Sequence, residues 1–112
     1  MLPPPSFPYG VPHRLFKLAR AKKPLEESFI RTEQVLSTRR QTHDLLERVI
    51  SRYALANFLD PVEVFCVNGS CITVDGGHPL YVGRTHLSYH GSVYGARVFE
   101  PVVSDILASR SR

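Results

Sequence analysis

The sequence predicts a mixed α/β fold, and three observations carry that expectation. Apolar residues recur at helical spacing over a long stretch from about Leu25 to Ala56. Two glycine-turn hairpin patterns follow between Val62 and Val82, and a second helical pattern starts at Ser88. At 112 residues the chain makes one domain at most. A 43% hydrophobic and 21% charged composition is that of a folded protein and excludes a low-complexity or acidic tail. No run approaches the ~18 apolar residues of a membrane helix. The formal net charge of +4 names no partner by itself.

Residues 1–24 hold six of the nine prolines, in the opening MLPPPSFPYGVP and at Pro24. Proline fixes φ and removes a donor, so this segment is expected to be extended or irregular. It lacks the apolar core of a signal peptide, so any export signal is expected to lie outside this chain. Five cations (Arg14, Lys17, Arg20, Lys22, Lys23) and no acid fall within residues 1–23. Contact with phosphate groups is one meaning of such a run, and a solvated surface segment is the plainer one. No nucleic-acid motif accompanies it, and no nucleic-acid partner is expected.

Leu25 to Ala56 is expected as one long helix or two abutting ones, with Ser28 as N-cap. Leu45, Leu46, Val49, Ile50 and Tyr53 form its apolar stripe, and Arg39, Arg40, Asp44, Glu47 and Arg48 its polar face. His43 falls on that charged face as a solvated side chain. An apolar run then ends in Asp60-Pro61, where proline turns the chain. Val62, Val64 and Phe65 are expected as a strand leading into Cys66.

Asn68-Gly69 is a strong hairpin signal, because a type I′ turn needs positive φ at both central residues. With that turn, Val67 pairs with Ser70 and Cys66 faces Cys71 across a non-hydrogen-bonded pair, Cα atoms ~4.5 Å apart. The geometry suits a disulfide between Cys66 and Cys71. A zinc site would need two more ligands, which no local pair supplies, and a redox pair would lack its Cys-x-x-Cys spacing. A structural disulfide places the chain in an oxidising compartment such as a periplasm.

A second hairpin is expected from Ile72–Val74 through Asp75-Gly76-Gly77 to Leu80–Val82, with His78 exposed beside it. Ser88 is a candidate N-cap for the last helix. Val93, Ala96, Val98, Phe99, Val102, Val103, Ile106 and Leu107 are expected on its buried side, with Pro101 kinking it or sitting where a carbonyl is free. Gly91, Gly95 and Ala96 would let it approach a neighbour closely.

His86 lies in Gly83-Arg84-Thr85-His86-Leu87-Ser88-Tyr89-His90-Gly91, where the hairpin hands over to the helix. A histidine held there by rigid elements, with its ring accessible, suits a general base. The order of features, namely Asp60-Pro61, Cys66…Cys71, Leu80-Tyr81 and His86-Leu87-Ser88-Tyr89-His90-Gly91, resembles the C-terminal part of an SGNH-type hydrolase domain. It is most similar to the SGNH domain fused to acyltransferase-3 membrane proteins, which O-acetylate cell-surface polysaccharides. The resemblance runs from Val11-Pro12 through Leu107.

The resemblance implies the C-terminal portion of a three-layer α/β domain, with a long helix, a small β-hairpin region and a C-terminal helix. It implies that His86 is the catalytic histidine, taking the proton of a serine hydroxyl and later returning it. No cofactor or metal is implied. The family's last block is Asp-x-x-His, and here Gly83 occupies the aspartate position. No Gly-Asp-Ser nucleophile block occurs in the sequence. Ser88 reads as a helix cap.

The chain is therefore divided into a proline-rich basic segment (1–24), a partial SGNH-like domain (25–109) and a tail (110–112). It is expected to belong to an exported cell-envelope acyltransferase or esterase whose partners are an acyl group and a carbohydrate. Its membrane attachment would come through an upstream region. The isolated chain is expected to be inactive. A non-catalytic interaction or structural module on the same scaffold is the alternative from another class.

Overall fold

The computed structural model describes residues 2–53 and 59–110. The expected helix end at Ala56, and the apolar run before Asp60 except Leu59, lie outside the described residues. The architecture is mixed α/β, as expected. Helix α1 (Val11–Arg20) is followed by a 3₁₀ turn (Leu25–Ser28), strand β1 (Ile30–Arg31) and the long helix α2 (Thr32–Ile50). A single helical turn α3 (Val62–Phe65) leads into β2 (Cys66–Val67), β3 (Ser70–Cys71), β4 (Val74–Asp75) and β5 (His78–Pro79). Helix α4 (Tyr89–Gly95), a 3₁₀ turn (Ala96–Phe99) and α5 (Glu100–Arg110) close the chain.

The N-terminal segment is not irregular throughout, because α1 occupies 11–20. Pro12 stands in the first turn of α1, where a missing N–H costs nothing, and no further proline follows until Pro24. Val11, Leu15 and Leu18, at i, i+4 and i+7, are buried against the rest of the chain. Ahead of the helix, Leu2 and Phe7 are buried too, so this segment contributes to the core.

The expected helix from Leu25 is interrupted. Ser28 is no N-cap: it is fully buried, donates from Oγ to the Leu25 carbonyl at 2.6 Å and shares a hydrogen bond with the Thr73 hydroxyl. The Tyr9 hydroxyl donates to the Ser28 carbonyl. The chain then extends so that β1 pairs with β3, Ile30 opposite Cys71 and Arg31 opposite Ser70. Sheet pairing with the cysteine hairpin thus wins over helix continuation.

Helix α2 buries Val35 and Arg39, whereas Leu45, Val49 and Tyr53 of the expected core stripe are exposed. The first turns of α2 pack beside β1 and β3, and its later turns run past the core. Arg39, expected on the polar face, is 8% exposed.

Val62–Phe65 is helical and not a strand. Pro61 adopts the right-handed region (φ −60°, ψ −20°), and the Asp60 carboxylate accepts from the Val62 N–H at 3.0 Å. The Val64 and Phe65 amides close onto the Pro61 carbonyl. These local bonds outweigh the β preference of Val62 and Val64.

The cysteine hairpin forms as expected. Asn68 and Gly69 have φ of 57° and 84°, Val67 pairs with Ser70, and Cys66 faces Cys71 in a disulfide. The first sheet is antiparallel in the order β1-β3-β2. The second hairpin is tighter than expected, with Gly76-Gly77 as its two positive-φ residues and Asp75 opposite His78.

Phe7, Val11, Val35, Phe65, Leu80 and Tyr81 make up much of the core. Phe65 and Tyr81 are both fully buried, and their rings lie 5.8 Å apart. Burying a side chain of this size contributes ~1.5–3 kcal/mol. Gly91 is required by a close approach, since a Cβ there would stand 1.9 Å from the Leu80 carbonyl oxygen. Only Val98 of the expected buried side of the last helix is buried, and α5 buries none of its residues. Pro101 occupies the first turn of α5, where no amide partner is needed.

Candidate functional site

The His86 loop is built by the end of the second hairpin. Leu80 and Tyr81 are buried, and Tyr81 bridges Leu87 in antiparallel fashion while the Val82 amide donates to the His86 carbonyl at 3.0 Å. Gly83–His86 therefore protrudes as a short closed loop. The N-terminal segment clamps it from the other side: Phe7 donates to the Arg84 carbonyl at 3.0 Å and Val11 to the Gly83 carbonyl at 3.1 Å. Three carbonyls of one loop are thus engaged, which fixes its backbone.

Ser88 secures the downstream end. Its amide donates to the Leu80 carbonyl at 2.9 Å, and its hydroxyl donates to the Pro79 carbonyl at 2.6 Å. The same oxygen accepts from the Gly91 amide at 3.0 Å, the N-cap bond of α4. That hydroxyl is a cap and is committed on both sides.

His86 itself is exposed. Its Nδ1 lies 3.3 Å from the Thr85 hydroxyl, and no carboxylate among the described residues is paired with it. An imidazole so placed can exchange a proton at Nε2 with a group arriving from solvent. It has no acidic partner of the kind that orients the ring in a catalytic triad. The Gly83 position explains this directly. A Cβ there would meet nothing within 4 Å, and Gly83 does not have positive φ. The backbone accepts a Cβ at this position, and the residue it carries is glycine.

Away from the loop, Arg39 and Asp60 form a largely buried polar pair that sequence patterning missed. The Arg39 Nη2 donates to Asp60 Oδ1 at 2.9 Å, with side chains 8% and 12% exposed. Burial pushes the guanidinium pKa down, and Asp60 and Tyr81 oppose that shift. The Tyr81 phenol is held well above its ordinary range by burial, with Arg39 pulling the other way. The Tyr81 hydroxyl and the Arg39 Nε and Nη1 have no hydrogen-bond partner among the described residues. The signal that could have found Asp60 was its place before Pro61; nothing in the helical pattern marks Arg39.

The remaining histidines lie elsewhere. His43 is half-buried on α2, its Nδ1 3.6 Å from both Asp44 and Glu47. These three are the one group of metal-type ligands gathered among the described residues, all on a single helix flank. His78 and His90 stack at 3.9 Å with planes 12° apart, joining β5 to α4.

The fold by itself names no activity; the match to a known family supports a hydrolase- or acyltransferase-type domain. The family described as the SGNH domain fused to AT3 domains matches residues 1–101, and the chain belongs to it. The small antiparallel sheets and helices are a portion of an SGNH-like α/β domain. No curated protein and no solved structure matches the chain. Among the described residues no helix is long and apolar enough to cross a membrane, and the disulfide is compatible with an extracytoplasmic location.

Proposed function

We propose that this chain is the histidine-bearing part of a cell-envelope acyltransferase or esterase domain. The whole domain would move an acyl group, an acetyl in the simplest case, to or from polysaccharide hydroxyls through a serine ester. The observation that supports this most is the His86 loop, clamped at the Gly83, Arg84 and His86 carbonyls while its imidazole stays open. In this reading His86 takes the proton from the serine hydroxyl as the acyl oxygen bond forms. It returns that proton to the departing oxygen when the ester breaks. The nucleophile block would come from outside these residues, and attachment to the inner membrane would come with it.

By itself the chain is then catalytically silent, because neither the Gly-Asp-Ser block nor an aspartate at position 83 is among its residues. Purified protein should hydrolyse p-nitrophenyl acetate no faster than buffer. Turnover that disappears in His86→Ala would overturn the silence. For the larger reading, the in-frame sequence upstream of Met1 should encode a Gly-Asp-Ser block and membrane helices; an upstream frame without them counts against it.

The second reading is a non-catalytic module that keeps the scaffold. It is favoured by one observation: a Cβ at position 83 would meet no neighbour within 4 Å, yet the residue present is glycine.

A further inference from the structure

The outer face of α1 carries cations that form no ion pair among the described residues. Arg14, Lys17 and Arg20 recur at i, i+3 and i+6, spanning ~9 Å along the helix axis, and Lys22 and Lys23 continue the series. Neither these five nor Arg84 forms an ion pair among the described residues, although Glu26 and Glu27 lie on the adjoining 3₁₀ turn. At the head of the row, Tyr9, Gly10, His13, Arg14 and Lys17 line a cavity of about 370 Å³. The Tyr9 ring is fixed there by its hydroxyl bond to the Ser28 carbonyl. The helix that carries the cavity is tied to the histidine loop, because Val11, next to Gly10 of the cavity lining, donates to the Gly83 carbonyl.

We infer that this cavity and the cationic row of α1 bind a linear polymer bearing carboxylate or phosphate groups and deliver it to the His86 loop. One anionic group occupies the cavity between Arg14 and Lys17, and successive groups follow Arg20, Lys22 and Lys23. Unpaired cations gathered beside a concave wall concentrate field lines and raise the local concentration of an anionic ligand. An anionic membrane fits less well. The apolar stripe of α1 (Val11, Leu15, Leu18) is already committed to the core, and Phe16 is the one large apolar side chain the helix exposes, which is too little for an apolar face that enters a bilayer.

The inference rests on the proposed reading only for the chemistry at His86. Binding is measured without catalysis, so the two can fail separately. Titration calorimetry of the 112-residue protein with polygalacturonate oligomers and with polyphosphate would separate a carboxylate from a phosphate ligand. Neutral dextran and phosphatidylglycerol vesicles complete the set. Binding to one of the two polyanions is expected, weakening ~10-fold or more between 20 and 200 mM salt. The triple variant Arg14→Ala, Lys17→Ala, Arg20→Ala should lose ~10-fold or more while its circular dichroism stays unchanged. The inference is overturned by equal binding of dextran, by an unaltered triple variant, or by binding to the vesicles alone.

Discussion

Arg39 reaches from the middle of α2 to Asp60 and closes a largely buried 2.9 Å charged hydrogen bond, joining two segments that are twenty-one residues apart. The same Asp60 oxygen starts the α3 turn by accepting from Val62. One carboxylate therefore anchors the long helix and the element that feeds the cysteine hairpin.

Removing one partner leaves the other buried and uncompensated, which costs about 3–5 kcal/mol. Arg39→Ala and Asp60→Ala should each lower unfolding stability by that order in urea denaturation. The apolar pair Arg39→Met with Asp60→Leu should recover most of the loss, because no buried charge remains. Single variants as stable as the parent would show that the pair is not a structural anchor.

Tyr81 makes stability depend on alkaline pH. Burial raises its folded-state pKa above the ordinary value of 10.0. In the unfolded chain the phenol ionises from about pH 10 upward, while in the folded chain it stays protonated. The contribution is therefore complete below pH 10 and is lost as pH rises from there toward the folded-state value. Tyr81→Phe should flatten the decline in stability measured between pH 9 and pH 11. Some slope should remain, because burial raises the Tyr9 pKa in the same direction. At pH 7 the variant should be as stable as the parent or up to about 1 kcal/mol more so, since the buried hydroxyl has no partner among the described residues.

The disulfide closes a very short loop, with Cys66 and Cys71 five residues apart in sequence. The loop-entropy relation then gives about 2 kcal/mol of stabilisation, near the low end for native disulfides. Reduction should add 2 Da to the intact mass and lower stability by about that amount. Two free thiols in protein purified from an oxidising compartment would refute the bond.

Gly83→Asp should be tolerated, because the position is open and its backbone is not left-handed. A stability change within about 0.5 kcal/mol is expected. If the loop retains triad geometry, the new carboxylate will engage His86 Nδ1 in place of the Thr85 hydroxyl. The ¹⁵N shifts of the ring will then report a single Nδ1–H tautomer. A ring unaffected by the substitution would favour the non-catalytic module.

Local chemistry determined the parts of this protein that the sequence could show. Asn68-Gly69 requires positive φ at two consecutive residues, so the turn, the Val67–Ser70 pair and the Cys66–Cys71 disulfide all follow from six residues. Ser88 ahead of Gly91 capped α4 for the same reason, since an N-cap bond spans only three positions. The histidine loop was likewise legible as a segment, and its order relative to the hairpins placed the chain beside its family.

Tertiary structure decided what depends on distant partners. Ser28 looks like a cap until Thr73 and Tyr9 arrive to bury it, and the helix expected from Leu25 yields to pairing with β3. Arg39 looks solvent-facing until Asp60 folds beneath it, while Leu45 and Val49, which pattern as core, run out past the packed layer. Amphipathic spacing reports only that a face is apolar. Which face meets the core depends on where the sheet and the Asp60-Pro61 turn place their own surfaces. The openness of position 83 is of the same kind: a glycine in the sequence is silent about the space around it, and only the folded loop shows that space to be free.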